Sequence, residues 1–148
     1  MPCRQRAHIE AGNHEKFPKL PDGSRDLDKT WSYIQTWKEL EKVLKTGKTK
    51  AIGVANFSKP YLEGLLPHVE IVPAVNQIEN HPLLPQQEIV DFCKEKNIHV
   101  TAYSPFGSTG SPLFSDETVA ALAKTYQVGP GNILLSYHSL SIPPHGKY

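Results

Sequence analysis

Three short apolar runs in this chain each end in polar side chains able to grip a ligand. "KAIGVANFS" (50–58) gives Asn56, "VPAVNQI" (72–78) gives Asn76 and Gln77, and "IHVTAYS" (98–104) gives Tyr103 and Ser104. A side-chain amide offers a donor and an acceptor together, and a tyrosine ring offers a flat face for stacking. That set suits a planar ligand with an amide or carbonyl edge. For any one of these residues, satisfying a loop backbone group is an equally good account. The repetition at three run exits points instead to a binding rim.

The three runs read as strands at 50–56, 72–78 and 98–104, rich in β-branched and aromatic residues. Between and around them lie helical patterns. Trp31, Ile34, Trp37, Leu40, Val43 and Leu44 recur at three- and four-residue spacing, a helix from Thr30 that ends near Gly47. Ser58 and Pro60 open a short helix at about 59–66. "LPQQEIVDFCKEKN" turns Ile89, Val90, Phe92 and Cys93 inward. After a Gly/Ser/Pro loop, Ser115 is expected to cap a helix carrying Val119, Leu122, Ala123 and Tyr126, and "GNILLSYHSL" gives one more. Residues 1–29 read as loop, with a turn at Asp22-Gly23. Strands alternating with helices at this spacing predict βαβ units and a parallel sheet buried on both faces, either doubly wound or closed into a barrel. Neither a G-x-G-x-x-G after a strand nor a G-x-x-x-x-G-K-[ST] occurs.

A net charge of +1 gives no electrostatic reason to expect nucleic acid. The lysines of "KVLKTGKTK" fall at a helix C-terminus, where cations suit the dipole. No apolar run approaches the roughly 20 residues that span a bilayer, and "MPCRQRAHIEAG" lacks an apolar secretory core. A cytoplasmic protein is expected, with no membrane partner. Cys3 and Cys93 have no metal-ligand spacing, and Cys93 reads as a buried thiol. No metal site is expected. His81, ahead of Pro82, reads as part of a loop.

"KAIGVANFS", "VNQIENHPLLPQ" and "VTAYSPFGS" together resemble the second half of the aldo-keto reductases. "NHEKFPKLPDGSRD" resembles the segment before it in fungal members related to glycerol dehydrogenases and aldehyde reductases. The resemblance covers about residues 13–138 and implies a partial (β/α)8 TIM barrel, roughly its second half, of parallel strands alternating with helices. It further implies NADP(H), bound without a Rossmann domain, and hydride transfer to or from a small carbonyl or alcohol substrate. By position, Asn56 and Gln77 would bond the nicotinamide carboxamide and Tyr103 would stack on its ring. Ser104, with the loop through Gly107 and Ser108, would line the pyrophosphate. Where the family usually has serine before the asparagine, this chain has Ala55, a lost hydroxyl contact worth about 1 kcal/mol.

A complete barrel of this kind takes about 250 residues. The family's proton-donating Asp, Tyr, Lys and His come from its first four strands, and no D-x-x-x-Y stretch matches them here. His8 lacks the family's Trp and Pro context, so no catalytic residue is assigned. The "I-P-K-S" stretch that clamps the 2′-phosphate is also unmatched in "SIPPHGKY". The resemblance therefore implies one incomplete barrel domain over 1–148, truncated at both ends: 1–29 loop-rich, 30–138 βα units, 139–148 a divergent tail. An oxidoreductase inactive as this isolated chain is expected. A non-catalytic nicotinamide-nucleotide-binding or protein-interaction module is the alternative, and a barrel enzyme holding phosphate in "SPFGSTGS" is a third. The strand edges at 50–56 and 98–104 would be open to self-association.

Overall fold

The computed structural model describes residues 19–24 and 30–141, without the side chains of Leu140 and Ser141. Expectations for Cys3 and His8 lie outside these residues. Helix α1 (Tyr33–Lys45) starts at a capping box: the Ser32 hydroxyl accepts from the Gln35 amide while the Gln35 side chain accepts from the Ser32 amide. It begins after the expected Thr30 because that reciprocal pair fixes the start. It stops where Gly47 turns left-handed (φ +74°) and donates to the Leu44 carbonyl, with Lys42 and Lys45 in the last turn. The order continues through β1 (Val54–Ala55), α2 (Lys59–Leu65), β2 (Val75–Glu79), α3 (Gln87–Glu95), β3 (His99–Tyr103), α4 (Glu117–Tyr126) and α5 (Pro130–Ser141). Single 3-10 turns follow α2 at Leu66–His68 and precede α4 at Pro112–Ser115. The Asp22-Gly23 turn is present, with Gly23 at φ +81°.

The three strands are parallel, in the order β1-β2-β3, with Val54 opposite Asn76, Ala55 opposite Gln77, and Glu79 opposite Tyr103. β1 is shorter than the apolar run implied, yet its pairing reaches further: Ala74 donates to Ile52 and Asn56 donates to Gln77 at 2.8 Å. Gly53 lets the two chains come this close. A Cβ there would sit 2.4 Å from Val75 Cγ1 and 2.7 Å from the Val75 carbonyl oxygen.

One side of the sheet faces the helices. Trp37, Ile52, Phe57, Leu62, Leu65, Phe92, Cys93 and Ile98 form the main core there, and each fully buried leucine such as Leu62 contributes about 1.5–3 kcal/mol. A smaller cluster of Leu113, Val119 and Leu134 joins α4 to α5. On the other side Ala55, Gln77 and Thr101 are exposed. Burial on both faces is therefore corrected: three parallel strands leave their second face without a covering layer among the described residues. Among the described residues β1 and β3 are the sheet's edges.

Local corrections follow the same physics. Asp116, not Ser115, caps α4, accepting from the amides of Thr118 and Val119, while Ser115 ends the preceding 3-10 turn. Carboxylate acceptance of two first-turn amides outcompetes a hydroxyl one residue earlier. On α4, Leu122 and Tyr126 point to solvent, and only Val119 and Ala123 are buried. On α1, Val43 is exposed and Glu41 is buried instead. The Glu41 Oε1 accepts from Trp37 Nε1 at 3.1 Å and from the amides of Glu70 and Ile71 at 2.8 and 2.9 Å. That carboxylate ties α1 to the chain entering β2. The helix expected over "GNILLSYHSL" is α5, which runs one residue further, to Ser141; residues 142–148 lie outside the described range. Among the described residues no helix is long and apolar enough to cross a membrane.

Candidate functional site

The carboxyl ends of the three strands are held by two unusual backbone positions. Asn56, just past β1, has φ +59°, and Ser104, just past β3, has φ +49°. Left-handed backbone at a residue other than glycine costs of order 1–3 kcal/mol and persists only where the surroundings impose it. For Asn56 the imposing group is Asn76. The Asn76 side chain is fully buried; its Oδ1 accepts from the Phe57 amide at 3.3 Å and its Nδ2 donates to the Phe57 carbonyl at 2.9 Å. Of the two amides at the β2 exit, Asn76 thus faces the helices and orders the loop, and Gln77 faces the open side. The alternation of a strand separates them.

Asn56 and Tyr103 line one cavity of about 210 Å³, together with Ser58, Glu79 and Gln86. Gln77 is bonded through its main chain to Asn56 and lines a neighbouring cavity of about 430 Å³ between α1 and β1. Among the described residues, the side-chain amides of Asn56 and Gln77 and the Tyr103 hydroxyl make no hydrogen bond. Asn56 and Tyr103 thus share one cavity, while Gln77, on the strand end between them, lines the other. Ser104, Gly107 and Ser108 line neither cavity. They form the loop beyond β3, where Gly107 (φ +78°) donates to the Ser104 carbonyl and Ser108 accepts from the Ser111 amide.

The cavity also holds two residues that the sequence reading passed over. Glu79 stands two positions after Gln77 on the same strand face and directly opposite Tyr103 in register. Its Oε1 lies 3.6 Å from Nε2 of His81, which is nearly buried within the turn that pairs it with Leu84. Gln86 donates from its side chain to the Glu79 carbonyl. The period of two from Gln77 was the available signal for Glu79.

The Cys93 thiol packs behind Asn76, and burial pushes its pKa up, keeping it protonated and unreactive. Among the described residues no group of His, Cys, Asp and Glu could hold a metal ion.

The aldo/keto reductase family pattern matches residues 14–121. A relative named D-galacturonate reductase, from Hypocrea jecorina, is 63% identical over 86% of this chain and 41% of its own length. A relative from Saccharomyces cerevisiae named glycerol 2-dehydrogenase (NADP(+)) is 46% identical over 89% of this chain and 43% of its own. The solved aldose reductase of Giardia lamblia superposes with a TM-score of 0.81 at 34% identity, over 88% of this chain and 44% of that one. The chain thus spans about two fifths of the length of the relatives it matches, and its three parallel strands are part of a (β/α)8 barrel. With the family pattern lying across all three strands and the rim they carry, the chain belongs to the aldo/keto reductase family.

Proposed function

We propose that this chain carries the nicotinamide-binding side of an NADP(H)-dependent oxidoreductase that interconverts small carbonyl compounds and alcohols. The observation that carries the reading is the set of unpartnered groups on Asn56, Gln77 and Tyr103 at three neighbouring strand ends. The names of the relatives favour NADP(H) and polyhydroxylated carbonyl or alcohol substrates. In this reading Asn56 and Gln77 hold the carboxamide, Tyr103 supports one face of the ring, and the loop through Ser104, Gly107 and Ser108 follows the pyrophosphate. The cofactor, when bound, supplies the hydride. The described residues contribute its orientation and exclude water from the side that Tyr103 covers. Asn76 acts one step behind, fixing Phe57 and with it the left-handed posture of Asn56.

A carbonyl oxygen that receives hydride also needs a proton, and a tyrosine of ordinary pKa near 10 needs a neighbouring cation to provide it. Among the described residues no lysine is ion-paired or hydrogen-bonded to Tyr103. As one incomplete barrel domain, this chain is therefore proposed to bind nucleotide without turning over.

Calorimetric titration of the 148-residue chain with NADPH tests this, alongside NADPH oxidation with glyceraldehyde. Expected are saturable binding, weakened at least tenfold by Tyr103→Ala, and no turnover. Binding unaffected by Tyr103→Ala overturns the assignment of the rim, and robust turnover overturns the division of labour.

A further inference from the structure

The Glu79 carboxylate has no role in the proposed nicotinamide site, yet Glu79 lines the same cavity as Asn56 and Tyr103. It pairs in register with Tyr103 across β2 and β3, and both line the cavity with Asn56. It is about one-third exposed, so its charge is neither quenched by burial nor fully screened by bulk water. Its one neighbour of opposite potential charge among the described residues is His81 at 3.6 Å, which offsets it only when protonated. No lysine or arginine pairs with it: the lysine ion pairs on the described surface go to Glu39, Glu70, Glu88 and Glu95.

Resting on the proposed nicotinamide site, we infer that Glu79 is a specificity determinant that biases this rim toward the oxidised, cationic form of the nicotinamide over the reduced, neutral form. The two forms share the carboxamide that Asn56 and Gln77 would hold, the ribose and every phosphate. They differ in one positive charge on the ring. A fixed carboxylate beside the ring's stacking platform acts on that difference alone. A unit charge several ångströms from another at a half-exposed site changes an equilibrium constant by roughly three- to tenfold. Glu79 therefore sets which redox state the rim retains, and in a hydride-transfer enzyme it stabilises the ring as charge develops on it.

Binding of NADP+ and of NADPH to the 148-residue chain, measured by calorimetry at one fixed pH, tests this through their affinity ratio. Glu79→Gln is expected to shift the ratio toward NADPH by roughly three- to tenfold, while Glu79→Asp, which keeps the charge, holds it within about twofold. A measurement needing no variant is the salt dependence of the ratio in the unaltered chain. Phosphate contacts cancel in the ratio, so it is expected to drift toward NADPH as the ring charge is screened. Binding of both nucleotides with a ratio indifferent to Glu79→Gln and to salt overturns the role of Glu79 and leaves the nucleotide site standing. Failure of the unaltered chain to bind either nucleotide overturns the nucleotide site, and the role of Glu79 with it.

Discussion

Replacing Asn76 by alanine should do more damage than removing any exposed polar group on the sheet. The side chain is fully buried and makes two hydrogen bonds to one residue, Phe57. Its loss removes both and leaves the Phe57 amide and carbonyl facing a hole lined by Cys93. Each lost bond is worth about 1 kcal/mol, and each orphaned buried backbone group costs about 1–3 kcal/mol. A water entering the hole would recover part of that. The expected loss is about 3 kcal/mol. For a chain of this size, urea slopes near 1.5 kcal/mol/M turn that into a midpoint lower by about 2 M. Fluorescence of Trp37, which is 2% exposed, reports the transition. Asn76→Asp is the sharper variant. Its carboxylate still accepts from the Phe57 amide but opposes the Phe57 carbonyl, and burial disfavours its charge. Its folded-state pKa is then raised above the unfolded one, so that chain should gain stability on acidification from about pH 7 to about pH 5. An Asn76→Ala midpoint within about 0.3 M of the unaltered chain would refute the claim that this amide holds the rim in place.

Gly53→Ala would push a methyl to 2.4 Å from Val75 Cγ1 and is expected to cost about 2–3 kcal/mol. Gly129→Ala, where no atom lies within 4 Å, should be neutral or slightly stabilising, so equal effects by thermal melting would refute the close-approach argument. Glu41→Ala strips three donors of a buried acceptor and should cost about 3 kcal/mol, with Glu41→Gln costing less because one oxygen remains; urea melts distinguish them. The Cys93 thiol, its pKa raised by burial, stays neutral in the fold. Its contribution to stability is whole below the ordinary thiol pKa and is lost as pH rises through the elevated one. In a Cys3→Ser background, Cys93→Ala should therefore flatten the alkaline fall in melting temperature, and iodoacetamide should modify the native thiol slowly.

Much of the fold was written in hydrophobic period. The three strands and their parallel order follow from β-branched runs set between amphipathic helices, and Gly47 ends α1 as its type suggests. What periodicity could not resolve were contests between neighbours. Asp116 displaced Ser115 as the cap because a carboxylate accepts two amides. Glu41 entered the core because three donors waited there, which no apolar pattern encodes. At the rim, sequence picked out Asn56, Gln77 and Tyr103 by type, but could not say that Asn76 and Gln77 part company across the sheet. Glu79 and Gln86 escaped notice because their types are ordinary on a surface. Only the register of β2 against β3 brings the first of them opposite Tyr103.

The two-residue β1 is too brief to choose its own alignment. A slip of β2 by one position would carry Ile78 into water and drive Gln77 among the aliphatic side chains of the helices. The amide of Asn76 forbids it, since the Phe57 backbone can be gripped from a single position along the strand. The same side chain is thus a latch on alignment, and any drift in it would scramble every pairing downstream of β1 at once.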